Sequence, residues 1–384
     1  MKLLERQQNG IKTHLQRLVL DLDGIPYNCV HQFSYSFYMN PVWQTYLRNR
    51  HAVIENNCVI HFGDNATELE DTQTGTIAAD LSHYGLIRFS GNDAPSYLQS
   101  QLSCDIREIN LKKVQYGSYC NPKGRVLASF LLWQQDDNFF MQLPASLGPS
   151  IQKRLSLYVL RAHVQLNDAS DTLVRIGIAG RNAAALTEEI TGSSCNLIQP
   201  IQVIPNENIT IISLAQNRFE LITSIENATT LWEHFNQHAK PVGANCWNWL
   251  DIQSGIPVIL PETQEQFLPQ MINLDAIGGI SFKKGCYPGQ EIVARTQYLG
   301  KLKRRMFLAH IATAEVVRAG DELYSIDMDD QSSGNIINAA LSPNGGFDIL
   351  AVIQQNSIDS CQIHWRSLQG PVLEIKLLPY SLPA

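Results

Sequence analysis

The stretch "ISFKKGCYPGQEIVAR", residues 280–295, sets one cysteine between two glycines, behind two lysines and ahead of a Gly-Gln-Glu step. Gly285 and Gly289 remove side chains on either side of Cys286, which permits unusual backbone angles and lets a partner approach the thiol closely. A helix starting at Pro288 would put the cysteine beside a helix N-terminus with Lys283 and Lys284 just upstream, and both influences favour a thiolate. From position alone, a small buried cysteine in a tight turn is the open alternative. Glu291 and Arg295 stand four apart, the spacing of a helical ion pair.

Outward from this stretch, residues 283–305 hold basic side chains at 283, 284, 295, 301, 303, 304 and 305 against one acid, a segment of about +6. Such a run suggests an anionic partner, RNA included, or a solvated basic face. The whole chain has a net charge of −7 and a pI near 5.8, so it lacks the footprint of a protein that coats nucleic acid. The eight cysteines are scattered and no two form a C-x-x-C pair, which argues against a self-contained zinc or iron–sulfur site. No phosphate-binding glycine loop and no G-x-S-x-G occurs, so nucleotide binding and serine hydrolysis are disfavoured. The N-terminal stretch interrupts each short apolar run with charges and makes neither a signal-peptide core nor a membrane span, so the expectation is a cytoplasmic protein with no membrane partner.

The pattern along the 384 residues predicts an α+β protein with antiparallel sheets. "YGLIRFSG" reads as a strand, followed by a helix "APSYLQSQLS" with Asn92 or Asp93 as its cap. "QYGSYC" and "GRVLASFLLWQ", joined by the turn "NPKG", continue into "FFMQLP" as a meander. Strand and helix then alternate through "VRIGIAG", "RNAAALTEEITG", "FELITS" and "NATTLWEHFNQHA". After Arg305 only strands are expected, which fits a small C-terminal β-barrel or sandwich. Residues 1 to about 72 carry no motif that points to chemistry.

"KGCYPGQE", followed by "VAR", Tyr298 and Gly300, resembles the K-G-C-[YF]-x-G-Q-E signature of the YgfZ family. These are folate-binding proteins related to the glycine-cleavage T-protein and implicated in iron–sulfur cluster assembly or repair. "NPKGRV", "SGIPVI", "FLPQMINLDAIGGISF" and the terminal "LPYSL" are similar to that family as well. The resemblance implies a three-domain ring around a folate-sized channel. The expected division is an N-terminal extension (1–72), a folate-binding α+β domain (73–170), a second α+β domain with the cysteine motif (171–304) and a C-terminal β-barrel (305–384). It implies tetrahydrofolate or another reduced folate as cofactor, and no permanently bound metal. Tyr84 and Trp247 fall by local register on aromatic folate contacts, and Cys286 on a reactive thiol. Lys284, Gly285, Tyr287, Gly289, Gln290, Glu291 and Arg295 are its supporting motif. Expected partners are iron–sulfur client enzymes or cluster carriers, with an indirect effect on tRNA thiomethylation. Where T-proteins carry a catalytic acid, the register gives Ala128 and Ser129, which counts against the alternative of aminomethyl transfer to tetrahydrofolate.

Overall fold

The computed structural model describes residues 38–383, apart from 196–200 and the single positions 205, 207, 215, 299, 301 and 330. The N-terminal stretch read as neither signal peptide nor membrane span, Cys29 and Lys301 lie outside the described residues. In chain order the elements begin with α1 (Pro41–Arg48), β1 (Val53–Glu55), β2 (Cys58–His61), α2 (Asn65–Thr74) and β3 (Thr76–Asp80). There follow β4 (Tyr84–Ser90), α3 (Ala94–Gln101), β5 (Gln115–Cys120), β6 (Val126–Gln135), β7 (Asn138–Pro144), α4 (Gly148–Ser156) and β8 (Gln165–Asp168). The middle of the chain forms β9 (Val174–Gly180), α5 (Ala183–Thr191), β10 (Gln202–Ile204), β11 (Ile209–Leu214), β12 (Arg218–Thr223), α6 (Ile225–Asn236), β13 (Lys240–Val242) and α7 (Ala244–Gln253). After a long irregular segment come α8 (Gln290–Tyr298), β14 (Arg304–Ile311), β15 (Glu322–Tyr324), β16 (Gly334–Leu341), β17 (Phe347–Gln354), α9 (Gln355–Ser360), β18 (His364–Trp365) and β19 (Leu373–Lys376).

Three sheets carry the fold. The first has five strands in the order β5-β6-β7-β4-β8, and the second six in the order β10-β11-β12-β9-β3-β13. All their pairings are antiparallel except β3–β13, which is parallel, so the second sheet departs from the antiparallel expectation at its edge. The third, β18-β15-β16-β17-β14-β19, is the C-terminal barrel in the form of a curled half-barrel. Its two edge strands approach only through the isolated bridge His364–Val372. The strands-only expectation for this tail misses α9. Asp93 stands at the start of α3, but its carboxylate accepts the His163 amide instead of capping the helix.

The second sheet is covered on both faces, and strand alternation sorts its side chains. Phe219 and Leu221 of β12 join Val174, Ile176 and Ile178 of β9 in an apolar layer against α1, α5 and α6. Arg218 and Glu220, of opposite parity, point to the other face, toward the first sheet and α7. Residues 38–72, for which the sequence offered no role, serve this packing. Trp43 meets Trp232 edge-on at 5.6 Å between ring centroids and donates its indole N–H to the buried Asp80 at 2.7 Å. Glu68 accepts the amides of Phe62, Gly63 and Gly243 at 2.7, 3.0 and 2.8 Å.

Helix α7 is the junction of the three sheets. Asp251 on this helix binds Tyr84 of the first sheet and Arg218 of the second, and Trp249 and Gln253 donate to Asp348 of the third. Beyond it, Asn338 of β16 exchanges two hydrogen bonds with the backbone of Val258, fixing the segment after α7 to the half-barrel. Among the described residues, no helix is long and apolar enough to cross a membrane.

Candidate functional site

Two neighbouring chambers lie beside the first sheet, the inner one against α7 and the second sheet. The inner one, about 40 Å³, is lined by Tyr84, Ser129, Gln142, Glu220 and Asp251 among apolar neighbours. The outer one, about 900 Å³, is walled by residues 105–116 on one side and 277–283 on the other. Tyr116 and Ile277 line both chambers.

The polar wall of the inner chamber is a network assembled from distant parts of the chain. Asp251 accepts from the Tyr84 hydroxyl at 2.6 Å and from Arg218 Nη1 at 2.7 Å. Both partners are buried, and so is the carboxylate. Burial, then the Asp251 charge, pushes the Tyr84 hydroxyl far above its usual range, so it stays a donor. Gln142 Nε2 donates to Glu220 Oε2 at 2.8 Å, which leaves Gln142 Oε1 without a partner. Glu220 is 3 % exposed, and burial pushes its carboxyl up to about 7, with the nearby Asp251 charge acting in the same direction. Behind it, Arg175 gives one hydrogen bond to the Tyr84 carbonyl at 2.6 Å and keeps Nε and Nη1 unpartnered, as Arg218 keeps Nε. Each uncommitted buried atom costs about 1–3 kcal/mol if left without a partner, and others occur among the described residues outside the chamber, as at His83, Trp133 and Trp232.

None of Gln142, Arg175, Arg218, Glu220 or Asp251 was singled out from the sequence. The one available signal was the placing of Arg218 and Glu220 on alternate positions of an otherwise apolar strand. The two aromatic residues expected to contact folate separate here. Tyr84 lines the inner chamber, whereas Trp247 is fully buried one helical turn from Asp251 and lines neither chamber. Its ring lies against Gly177, where a Cβ would come within 2.5 Å of it, and Arg218 sits 5.4 Å over its face. Ser129 lines the chamber, its hydroxyl donating to Pro257 O at 2.8 Å and accepting the Ile259 amide at 3.0 Å. The acid expected to be missing is absent at 128 and 129, but Glu220 and Asp251 bring carboxylates to the same chamber from β12 and α7.

The cysteine motif forms a loop at the outer chamber. Lys283 lines that chamber, while Cys286 is exposed and lines neither. Gly289 has φ +81°, a conformation no ordinary helix residue holds, so α8 starts at Gln290 and not at Pro288. A Cβ at Gly289 would stand 2.5 Å from Asn121 O and Gly124 Cα, so this glycine seats the motif on the "NPKG" turn. At Gly285 a Cβ would meet nothing within 4 Å.

Lys284 does not face the thiol as a free charge. Its ammonium donates to Leu102 O at 2.6 Å and Cys104 O at 2.8 Å, and burial pushes it down to about 8. Tyr287 is buried beneath it, with the ammonium 5.3 Å over its ring. Gln290 reaches back to the Lys284 carbonyl at 3.4 Å. Glu291 and Arg295 are both exposed on α8, and no ion pair joins them among the described residues.

The basic run is correspondingly weaker than its sequence suggests. Arg305 is buried and held by Asp275 at 2.6 and 2.9 Å and by Gln270 O at 2.8 Å. Lys284 and Arg305 thus leave the surface patch, which lowers the case for an RNA-binding face. Among the described residues, no group of three or more His, Cys, Asp and Glu is arranged to hold a metal ion.

A family model for the GCVT N-terminal domain matches residues 45–284. The chain is 32% identical over 311 residues to the tRNA-modifying protein YgfZ of Colwellia psychrerythraea (strain 34H / ATCC BAA-681), a match spanning 80% of this chain and 94% of that protein. The chain belongs to the YgfZ family. The YgfZ protein of Sodalis glossinidius (strain morsitans) is 29% identical over 304 residues, covering 79% of this chain and 92% of the relative. Among solved structures, glycine cleavage system aminomethyltransferase T from Bartonella henselae superposes with a TM-score of 0.71 over 90% of this chain and 98% of its own, at 17% identity. The chain therefore shares its fold with that aminomethyltransferase.

Proposed function

We propose that this YgfZ-family chain binds a reduced folate such as tetrahydrofolate in the two chambers and supports the assembly or repair of iron–sulfur enzymes through Cys286. The observation that carries the folate reading is the inner chamber's unused hydrogen-bonding capacity. Gln142 Oε1 has no partner, and Glu220, with its carboxyl near 7, can accept or donate near neutral pH. The 2-amino-4-oxo edge of a pterin offers donors and acceptors in one plane, which is what such a pair recognises. Tyr84 and Asp251 make a fixed wall, because the Tyr84 hydroxyl and Arg218 both donate to the Asp251 carboxylate. Tyr116 and Ile277, which both chambers share, supply apolar surface for a flat ring. Bound there, a reduced folate supplies a nitrogen able to carry one carbon and a readily oxidised ring.

Cys286 acts outside the chambers. Its exposure and the open space at Gly285 let a client protein approach the sulfur, which loses its proton on ligating iron in transit. One thiolate cannot hold a cluster, so the remaining ligands come from the client or from a small thiol. The relatives' name, tRNA-modifying protein, fits an indirect route in which the clients include iron–sulfur enzymes that thiomethylate tRNA. The test is complementation of a deletion strain. Cys286→Ala should keep folate affinity and lose rescue of cluster-enzyme activity, and full rescue by the variant would refute the thiol's role.

A second reading, aminomethyl transfer to tetrahydrofolate, is favoured by one observation, the Glu220 carboxyl poised near neutrality inside the chamber. Turnover of an aminomethyl donor by the purified protein, lost in Glu220→Gln, would establish it.

A further inference from the structure

We infer that the turn after α4, with Leu157, Tyr158 and Leu160 at its surface, is the docking face for the client protein that meets Cys286, and that the client brings an acidic surface to it. The inference rests on the proposed role of the thiol and adds where the client is held and by what chemistry. Helix α4 ends at Ser156 and the chain then turns twice, with the Tyr158 amide on Leu155 O at 2.9 Å and the Ala162 amide on Val159 O at 2.9 Å. The second turn has Leu160 at its corner with φ +49°, a left-handed conformation that suits glycine or asparagine and strains a bulky side chain. That leucine is 86 % exposed, and Leu157 and Tyr158 beside it are 68 % and 51 % exposed. At such exposure the Leu160 side chain packs on almost nothing within the chain, so folding gives no reason for a leucine there. Strained backbone of this kind gathers at functional sites, and neighbouring exposed apolar side chains rimmed by polar ones mark protein contact surfaces.

A short line of contacts joins this turn to the cysteine loop. Arg154, one helical turn earlier, meets Glu265 at 3.9 Å, and Glu265 accepts from Asn121 Nδ2 at 3.2 Å. Asn121 belongs to the "NPKG" turn on which Gly289 is seated, and the exposed Ile292 of α8 lies against Gly124 of the same turn, adding apolar surface beside the cysteine motif. The charges along this line fix the sign of the partner. Lys123, Lys153, Arg161 and Arg295 are exposed and have no acidic partner among the described residues. Of the acids there, Glu265 is shared by Arg154 and Asn121, Asp93 accepts the His163 amide at 2.7 Å, and Glu291 is exposed on α8. The face is therefore net positive in a chain of net charge −7. Two copies of the chain joined through this face would set the cations against one another, whereas an acidic client is drawn to them. A nucleic acid would answer the cations but leave Leu157 and Leu160 without an apolar partner.

The test is surface plasmon resonance of the full chain against a purified iron–sulfur enzyme that thiomethylates tRNA, at low and high salt. Tyr158→Ser/Leu160→Gly should bind at least about tenfold more weakly at both salts, and glycine keeps the left-handed corner. Lys153→Glu/Arg161→Glu should lose about tenfold at low salt and less at high salt. Both double variants should keep the circular dichroism of the unaltered chain, and Cys286→Ala should bind the enzyme as the unaltered chain does. Unchanged binding in either double variant, or no binding by the unaltered chain, would overturn the inference, while rescue by Cys286→Ala judges the thiol separately. Self-association lost in Tyr158→Ser/Leu160→Gly with enzyme binding intact would assign the face to a second copy and overturn it. Loss of tRNA retention in Lys153→Glu/Arg161→Glu with enzyme binding intact would assign the cations to nucleic acid, with the same consequence.

Discussion

Around Asp251, side chains from β4, β12 and α7 are hydrogen-bonded to one another inside the protein, and moving any of them disturbs the rest. Around Cys286 the chain makes few commitments at the thiol itself and firm ones on either side, with Lys284 bound to Leu102 and Cys104 and Gly289 pressed on the "NPKG" turn. The first region is a closed network, and the second an exposed loop anchored at both ends. Under the proposed function the first recognises the ligand and the second meets the client, so each region should respond to mutation in its own way.

The sharpest break should come from Asp251→Ala, which leaves Arg218 buried without its counter-charge. Removing one partner of a buried pair costs about 3–5 kcal/mol, so denaturant unfolding should show a loss of that order. Next is Gly289→Ala, which meets both a left-handed backbone and two backbone atoms of the turn at 2.5 Å. A loss of about 2 kcal/mol is expected by the same measurement, with faster proteolysis between Lys283 and Arg295.

A smaller and pH-dependent effect belongs to Glu220. Its carboxyl is raised in the folded state to about 7 from an ordinary 4.5, so the folded protein binds the proton more tightly than the unfolded chain does. Stability from this group is therefore fully present below about 4.5 and is lost as pH rises through 7. Between pH 8 and 6 the unaltered protein should gain about 1 kcal/mol relative to Glu220→Gln, and parallel pH profiles would contradict the assignment. The smallest effect is expected at Gly285→Ala, within about 0.5 kcal/mol, because its Cβ meets nothing. A large loss there would mean that the loop is closed over Gly285.

The same contrast explains what was legible in the sequence. The cysteine loop is local in the chain, so its glycines and its family signature can be read within the 16 residues of "ISFKKGCYPGQEIVAR", although the turn it packs on lies far upstream at 121–124. Hairpins such as β5–β6–β7 are local too, and their turn residues announce them. The inner chamber joins residues 84, 142, 218, 220 and 251, and no pattern in one sequence ties these together. Arg218 and Glu220 drew no reading there, because nothing in "RFELIT" states that a helix and a second sheet cover their face. Lys284 and Arg305 misled in the opposite sense. Their charge suggested a surface patch, whereas backbone carbonyls and Asp275 hold them inside. The parallel edge pair β3–β13 was out of reach because its strands lie about 160 residues apart and owe their pairing to tertiary packing alone.

The central claim, that the inner chamber recognises a reduced folate independently of Cys286, is tested most directly by titrating tetrahydrofolate into three full-length proteins by calorimetry. The unaltered chain should bind saturably at one site, Cys286→Ala should match it, and Glu220→Gln should bind at least about tenfold more weakly. Absence of saturable binding, or equal affinity in Glu220→Gln, would contradict the account.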